Sequence, residues 1–161
     1  MVELNTVLKR LAALRQYQTE LERYRPLTFE KYIASSSNYW AVERGLQLAA
    51  QAMLDVGAHI LAADFAVHPQ EYRDVFVELG RVGVLPQEFA ESIADLAGFR
   101  NILVHEYLRI DPQRVYDALQ NNLSDLKIFG QCIVEYLRRS GAIEDEDYIT
   151  EQGGYDHVPR R

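Results

Sequence analysis

Three residues near the middle of the chain have side chains that could act on a phosphate. Arg100 carries a permanent cation whose planar fork of N–H donors matches phosphoryl oxygens. His105 can give or take a proton near neutral pH, and Tyr107 adds a phenol beside it. Neutral, mostly apolar residues separate Arg100 from His105, which indicates that a core anchors the segment. The pattern indicates a phosphate site, and the alternative is a structural role at a helix end.

The spacing of these residues leaves open how they converge. On an ideal helix, residues 100 and 105 lie about 140° apart, whereas residues 100 and 107 lie nearly on one face. We therefore expect Arg100 and Tyr107 to be neighbours. His105 joins them if the helix ends near Val104, or if a cleft at a dimer interface wraps around the helix. The sequence is consistent with both arrangements.

Helices must position this segment, because apolar residues recur at steps of three and four along most of the chain. No alternating strand pattern, internal repeat or glycine-rich phosphate loop is present. Gly45 and Gly57 would let a neighbouring helix approach closely. The pattern predicts an all-α, up-and-down bundle of four to five helices. The helices are expected over residues 2–25, from 29, over 39–62, 69–81, from 86 through the phosphate-site segment, and 112–139.

Several residues predict where these helices begin. Thr28 is suited to cap the second helix, and Asp111 with Pro112 forms a strong start signal for the last one. Pro69 is expected at the first position of the short helix, with Tyr72 among its inward-facing residues.

The charge distribution divides the chain into a helical domain over residues 1–139 and an acidic, flexible tail over residues 140–161. The formal net charge is −7, whereas proteins that bind long nucleic acids through their general field are usually basic. Six acids against Arg160 and Arg161 give the tail −4, which leaves −3 for the helical domain. If the protein acts on RNA, it must therefore use a local positive cleft.

Other features exclude several classes of protein. One cysteine, Cys132, cannot form an intrachain disulfide, and no Cys/His cluster suggests zinc. No apolar run approaches the ~20 residues of a membrane span, and the first residues lack the pattern of a signal peptide. A cytoplasmic protein without a cofactor, metal or membrane contact is the simplest expectation. His59 is expected to be a satisfied core residue. For Asp55, pairing with His59 or with Arg100 and a role in packing alone explain the position equally well.

The run GFRNILVHEY at residues 98–107 resembles the R-x4-H-x-Y signature of the HEPN superfamily. More narrowly, it is similar to the HepT-type toxins of HepT–MntA toxin–antitoxin pairs. The similarity extends upstream to AVERGLQLA at residues 41–49 and LDVGAHI at residues 54–60, and it covers roughly residues 1–139.

This resemblance implies a metal-independent endoribonuclease that works as a homodimer, with Arg100 and His105 as its active residues. It also implies a partner, an MntA-type nucleotidyltransferase antitoxin, which silences the toxin by transferring AMP to Tyr107. The alternative is a non-catalytic helical dimer that binds a nucleotide or the nucleotidyltransferase, with Arg100 serving only as an anion contact. Loss of RNA cleavage on His105→Ala would discriminate the two.

Overall fold

The computed structural model of the protein describes residues 1–144, which form α-helices joined by short loops and one 3-10 turn, Tyr107–Arg109. The described part of the chain contains seven α-helices: α1 (Leu4–Glu22), α2 (Phe29–Ala34), α3 (Ser36–Phe65), α4 (Tyr72–Arg81), α5 (Gln87–His105), α6 (Pro112–Asn121) and α7 (Leu123–Arg139). The predicted all-α bundle is confirmed. Four long helices, α1, α3, α5 and α7, build it, and the three shorter ones pack on them.

The 30-residue helix α3 is the central element of the bundle. It packs against α1 on one side and against α5 and α4 on the other, while α7 packs on α1. Contacts between Arg73 and Asp95 and between Gly80 and Ala90 show that α4 and α5 run antiparallel. Gly57 meets Val75 of α4, and Gln51 meets Arg100 of α5, so α3 is antiparallel to α5 as well.

Two glycines of α3 let α1 and α4 approach it closely, as the small size of glycine predicts. A Cβ atom on Gly45 would lie 2.7 Å from Leu21 of α1, and one on Gly57 would lie 2.8 Å from both Val75 and Leu79 of α4. Side chains at these positions would hold the helices apart. The core beyond them is apolar and closely packed.

The helix boundaries agree with the start signals at two positions and differ at a third. Thr28 and Asp111 cap α2 and α6 by accepting the backbone N–H of Lys31 and Gln113. The prediction for Pro69 was wrong, because α4 begins three residues later, at Tyr72. The reason lies in the preceding loop: Ala66 adopts a left-handed conformation that ends α3, and the chain is still extended at Glu71.

The predicted last helix, residues 112–139, is divided into α6 and α7 at Asn122. The backbone of Asn122 (φ −113°, ψ 0°) leaves the helical path, and its side-chain amide donates to Asp125 at the start of α7. Such local side-chain bonds explain why asparagine favours helix ends over helix interiors. The break lets α6 turn toward α2 while α7 follows α1.

The proposed tail, residues 140–161, lies mostly outside the described residues. Within the described part, Ile143 is buried and packs on the core, so the packing of the bundle continues past residue 139. The division of the chain at residue 139 stays a prediction.

By length and composition alone, α3 would qualify as a membrane span. More than half of its apolar window, 56%, is buried inside the bundle, which is typical of a core helix.

Candidate active site

The buried face of α5 determines the directions in which Arg100 and His105 point. Phe99 and Leu103, one helical turn apart, are buried and fix the rotation of the helix about its axis. Arg100 therefore lies at the edge of the core, facing α3 and α4, and its side chain is half-buried. His105 lies on the solvent side of the helix, where Gly98 is also exposed.

Three neighbours hold the Arg100 guanidinium in one orientation. Its Nε donates to Oε1 of Gln51 over 2.8 Å, and its Nη1 donates to Oδ1 of Asn101 over 3.1 Å. The ring of Tyr72 lies 4.9 Å from the guanidinium carbon and supports its flat face. Among the described side chains, which exclude that of Tyr107, no partner is recorded for either N–H group of Nη2 or for one of Nη1. This free edge is suited to a phosphate.

A chain of polar contacts connects the Arg100 site to α1. The Gln51 amide donates to Oδ1 of Asp55 over 2.7 Å, and this bond fixes which way the amide faces. The other carboxylate oxygen of Asp55 lies 3.6 Å from Nε of Arg10. Together with Tyr72 of α4, residues of four helices thus contribute to the position of one guanidinium. The groups that accept from Arg100 are neutral amides, and no carboxylate among residues 1–144 is paired with it.

His105 is the last residue of α5 and is exposed. The backbone N–H of Glu106 still bonds to the carbonyl of Ile102, but Glu106 (φ −118°, ψ 34°) leaves the helical path. The helix therefore continues through Val104, and His105 keeps its helical position about 140° around the axis from Arg100. The described contacts include none between the two side chains. The first of the two arrangements, a helix that ends before His105, is not observed.

Tyr107 begins the 3-10 turn Tyr107–Arg109, and its side chain lies outside what the structure describes. The expectation that Tyr107 shares a face with Arg100 assumed one continuous helix. Because α5 ends at His105, that helical geometry does not reach residue 107. The backbone places Tyr107 two residues beyond His105, at the open end of the helix.

Sequence reasoning missed two residues of the Arg100 site. Gln51 is a polar residue in a helix rich in buried apolar ones, but nothing local indicates that it meets a residue 49 positions away. The prediction that Tyr72 faces inward was wrong: the side chain is 43% exposed, and its ring lies against Arg100 at the edge of the core.

The structure agrees only in part with the expectations for His59 and Asp55. His59 is half-buried, and its Nε2 accepts the backbone N–H of Glu3 over 3.1 Å near the start of α1. Asp55 reaches Arg100 through Gln51 rather than by direct contact.

The sequence that contains the Arg100 site is similar to a known protein family. The chain matches the family described as ribonuclease HepT-like over residues 14–133, which include α3, α5 and every residue of the Arg100 site except Arg10. The chain belongs to the HepT-like ribonuclease family. A tRNA nuclease HepT from Aphanizomenon flos-aquae is 34% identical over 128 residues, or 80% of this chain and 87% of the relative. An mRNA nuclease HepT from Shewanella oneidensis is 30% identical over 84 residues, or 52% of this chain and 63% of the relative.

Several solved structures share the fold at 21% sequence identity. A toxin–antitoxin complex with AMP-PNP has a TM-score of 0.75, covering 81% of this chain and 98% of the matched chain. The tri-AMPylated HEPN toxin of Shewanella oneidensis, in complex with its MNT antitoxin, has a TM-score of 0.74, covering 84% and 99%. YutE of Bacillus subtilis, described as a cytosolic protein, has a TM-score of 0.74, covering 89% and 96%. The predicted family and the helical fold are both confirmed.

Proposed function

We propose that this HepT-like ribonuclease is the toxin of a toxin–antitoxin pair and that it cleaves RNA without a metal ion. The observation that carries the proposal is the Arg100 guanidinium, which Gln51 and Tyr72 hold with its phosphate-binding edge free, on the helix that ends at His105. The names of the relatives, a tRNA nuclease and an mRNA nuclease, support RNA as the substrate class.

The proposed reaction is an attack of the RNA 2′-hydroxyl on the adjacent phosphorus. A base takes the hydroxyl proton, the bond to the 5′-oxygen breaks, and an acid gives that oxygen a proton, which leaves a cyclic phosphate on one fragment. His105 is suited to proton transfer, a role typically worth about 10²–10⁴-fold in rate. Arg100 stays protonated throughout, so its part is to bind the phosphate and stabilise the charge that develops on it.

A homodimer would supply what one copy lacks. One histidine provides one proton transfer at a time, whereas this cleavage needs a base and an acid. His105 is exposed and faces away from Arg100, and Leu108 beside it is 87% exposed. A two-fold interface over this end of α5 would cover Leu108 and bring two copies of Arg100 and His105 together. This is the second arrangement that the spacing of the motif allows.

AMP transfer to Tyr107 is the proposed means of silencing the enzyme. A phosphodiester on the phenol would place negative charge and bulk beside His105, at the entrance to the proposed cleft. The partner would be an MntA-type nucleotidyltransferase, in keeping with the complexes whose folds this chain shares. The expected location of both proteins is the cytoplasm, where their RNA and ATP are found.

Cleavage of RNA in excess EDTA tests the proposed activity. We expect the unsubstituted protein to cut total cellular RNA at discrete sites and leave cyclic phosphate ends, and His105→Ala to abolish cutting. His68→Ala is the matched control, because His68 is also exposed but lies in the loop between α3 and α4. Equal inactivity of unmodified and His105→Ala proteins, with AMP excluded by mass spectrometry, would instead favour the non-catalytic binding protein.

The proposed modification has its own test. The nucleotidyltransferase partner and ATP should silence the unsubstituted protein and add the mass of AMP to it. Tyr107→Phe should stay active and unmodified under the same conditions. Silencing and mass addition that persist in Tyr107→Phe would show that Tyr107 is not the acceptor.

A further inference from the structure

One face of α3 carries large side chains into solvent and continues the surface that contains Gln51. On a helix, residues 40, 44, 47 and 51 lie within about 60° of one another around the axis. Trp40 is 62% exposed and Arg44 is also exposed, whereas the opposite side of α3 is buried in the core. We call the surface formed by Trp40, Arg44 and Gln47 the α3 stripe. It ends at the amide that holds Arg100.

The α3 stripe runs in the direction in which a substrate would leave the Arg100 site. Because α3 and α5 are antiparallel, moving from Gln51 toward Trp40 follows α5 from Arg100 toward His105 and beyond. At 1.5 Å per residue, Trp40 lies about 16 Å along the helix from Gln51, and Arg44 about 10 Å. This distance corresponds to about five stacked nucleotides of one strand, or fewer if the strand is extended.

Charge favours a polyanion on this surface although the whole chain is acidic. Several arginines elsewhere pair with carboxylates, as Arg23 does with Glu20 and Arg81 with Glu78. Among residues 1–144, no ion pair is recorded for Arg44, on the stripe, or for Arg109, in the turn after His105. Guanidinium groups without a recorded ion pair thus lie on α3 and in the turn that follows α5.

The acidic neighbour of the stripe faces another side of the helix. Glu43 lies about 100° around the axis from Arg44. It is half-buried close to Tyr32, and burial raises its pKa.

Trp40 is suited to stack on a base. Its ring meets Tyr39 edge-on at 5.8 Å, and the indole is not part of the buried core. An aromatic side chain beside a row of cations is the common arrangement for binding single strands without strict sequence preference, because every base has a flat face. An apolar protein partner would be matched by a broader apolar patch, whereas Arg44 and Gln47 accompany Trp40 here.

We propose that the α3 stripe is a subsite for single-stranded RNA, in which Trp40 stacks on a base and Arg44 contacts a phosphate of the strand that Arg100 holds at the cleavage point. This inference rests on the proposed ribonuclease function. It adds a second contact region several nucleotides from the reacting phosphate, so the enzyme would distinguish substrates by the length of the single strand on that side.

Tryptophan fluorescence provides a direct test, since Trp40 is the only tryptophan in the chain. Binding is measured with the His105→Ala protein, because this variant should not cut RNA. Titration with a single-stranded oligonucleotide of about ten nucleotides should quench the emission, while a dinucleotide should not, because it cannot reach from Arg100 to Trp40. Binding is measured in parallel by the anisotropy of labelled RNA.

Substitutions separate the two contacts. In the active protein, Trp40→Ala should raise KM for the long oligonucleotide about tenfold, leave kcat unchanged and leave dinucleotide cleavage unaffected, with Trp40→Phe restoring most of the loss. Arg44→Ala should lower the slope of log affinity against log salt by about 0.7, as expected for one lost phosphate contact on a single strand. Trp40→Ala should leave that slope unchanged. Ile128→Ala and Lys127→Ala, exposed positions on α7, are the matched controls.

Three outcomes would overturn the proposal. RNA that binds by anisotropy without quenching Trp40, or equal effects of Trp40→Ala on long and short substrates, would place the strand elsewhere. Emission that changes with protein concentration alone would assign the stripe to an interface between copies. If the unsubstituted protein neither binds nor cuts RNA, the proposed ribonuclease function fails first, and the subsite fails with it.

Discussion

At the scale of single residues, the Arg100 site uses a neutral amide where many arginines meet a carboxylate. A carboxylate would bind the guanidinium more tightly, but it would also cancel the charge that a phosphate needs. Gln51 orients the side chain through one bond to Nε and leaves the Nη2 edge free. Asp55 then fixes the amide, so that its oxygen rather than its nitrogen faces Arg100. Orientation and full positive charge are thereby both retained.

Gln51→Leu tests this account. The substitution keeps the size of the side chain but removes the acceptor, so the guanidinium should lose its fixed orientation. We expect kcat for RNA cleavage to fall about 10- to 100-fold, the range that small misplacement of a catalytic group costs, with a small change in the unfolding midpoint. Gln131→Leu, a half-buried position on α7, is the control. Full activity of Gln51→Leu would show that Asn101 and Tyr72 suffice to hold Arg100.

The site was predictable from the sequence only as far as local spacing reaches. Arg100 and His105 belong to one short segment, so their types and separation could be recognised together. Gln51 and Tyr72 contribute through contacts 49 and 28 positions away along the chain, and these contacts exist only once three helices have packed. The relation between Arg100 and His105 depended on where α5 ends, and no capping residue in the sequence fixes that point.

At the scale of helices, glycines on α3 and α5 have opposite surroundings. Gly57 lies against Val75 and Leu79 of α4, whereas a Cβ atom on Gly98 of α5 would meet nothing within 4 Å. Alanine is favoured over glycine inside a helix by about 1 kcal/mol, so only crowding can make such a substitution unfavourable.

We therefore expect the two substitutions to change stability in opposite directions. Gly98→Ala should raise the free energy of unfolding by about 0.5–1 kcal/mol. Gly57→Ala should lower it by about 1 kcal/mol or more, because overpacking typically costs 1–3 kcal/mol. Urea unfolding curves would measure both, with the slope m expected to stay constant. A stabilised Gly57→Ala protein would mean that α4 can move away from α3 at little cost.

Tyr136 and Asp64 join the last turns of α7 and α3, and this contact predicts a pH dependence. The tyrosine hydroxyl donates to Asp64 over 2.8 Å. Burial, and then this hydrogen bond and the nearby carboxylate charge, raise the pKa of Tyr136 to about 12. In the unfolded chain the phenol has its usual pKa of about 10. The contribution of protonated Tyr136 to the free energy of unfolding should be fully present below pH 10. It should disappear as the pH rises toward 12.

Comparison with Tyr136→Phe measures this contribution. The unsubstituted protein should be more stable than Tyr136→Phe by at most about 1 kcal/mol at pH 8, and the difference should shrink between pH 10 and 12. Asp64→Asn, which removes the charge but keeps an acceptor, should make this loss of stability smaller and complete it at a lower pH. A difference that stays constant to pH 12 would contradict the assigned role of Asp64.

Helix existence was easier to predict than helix boundaries. The apolar periodicity identified every long helix, since burying one face is what stabilises it. Pro69 and the division at Asn122 were misjudged for one reason. Both residues are compatible with a helix terminus or its surroundings, and tertiary contacts of α4 and α6 decided between the possibilities.

At the scale of the whole molecule, the proposed homodimer predicts how mixed dimers behave. If one His105 acts as base and the other as acid, a dimer with one His105→Ala copy should be inactive. Random exchange of equal amounts of unsubstituted and His105→Ala protein should then leave about a quarter of the activity of an all-unsubstituted sample at the same total concentration. Independent sites would leave about half. Mixing with His68→Ala should leave the activity unchanged.

The separation of Gln51 and Arg100 along the chain also has a consequence for synthesis on the ribosome. The helices α1 and α3 emerge first and can begin to pack, because domains form progressively from the N-terminus. Gln51 cannot bind Arg100 at that stage, because Arg100 is translated 49 residues later. The Arg100 site therefore cannot form until α5 has been translated, so we expect a nascent chain to lack the proposed activity until then.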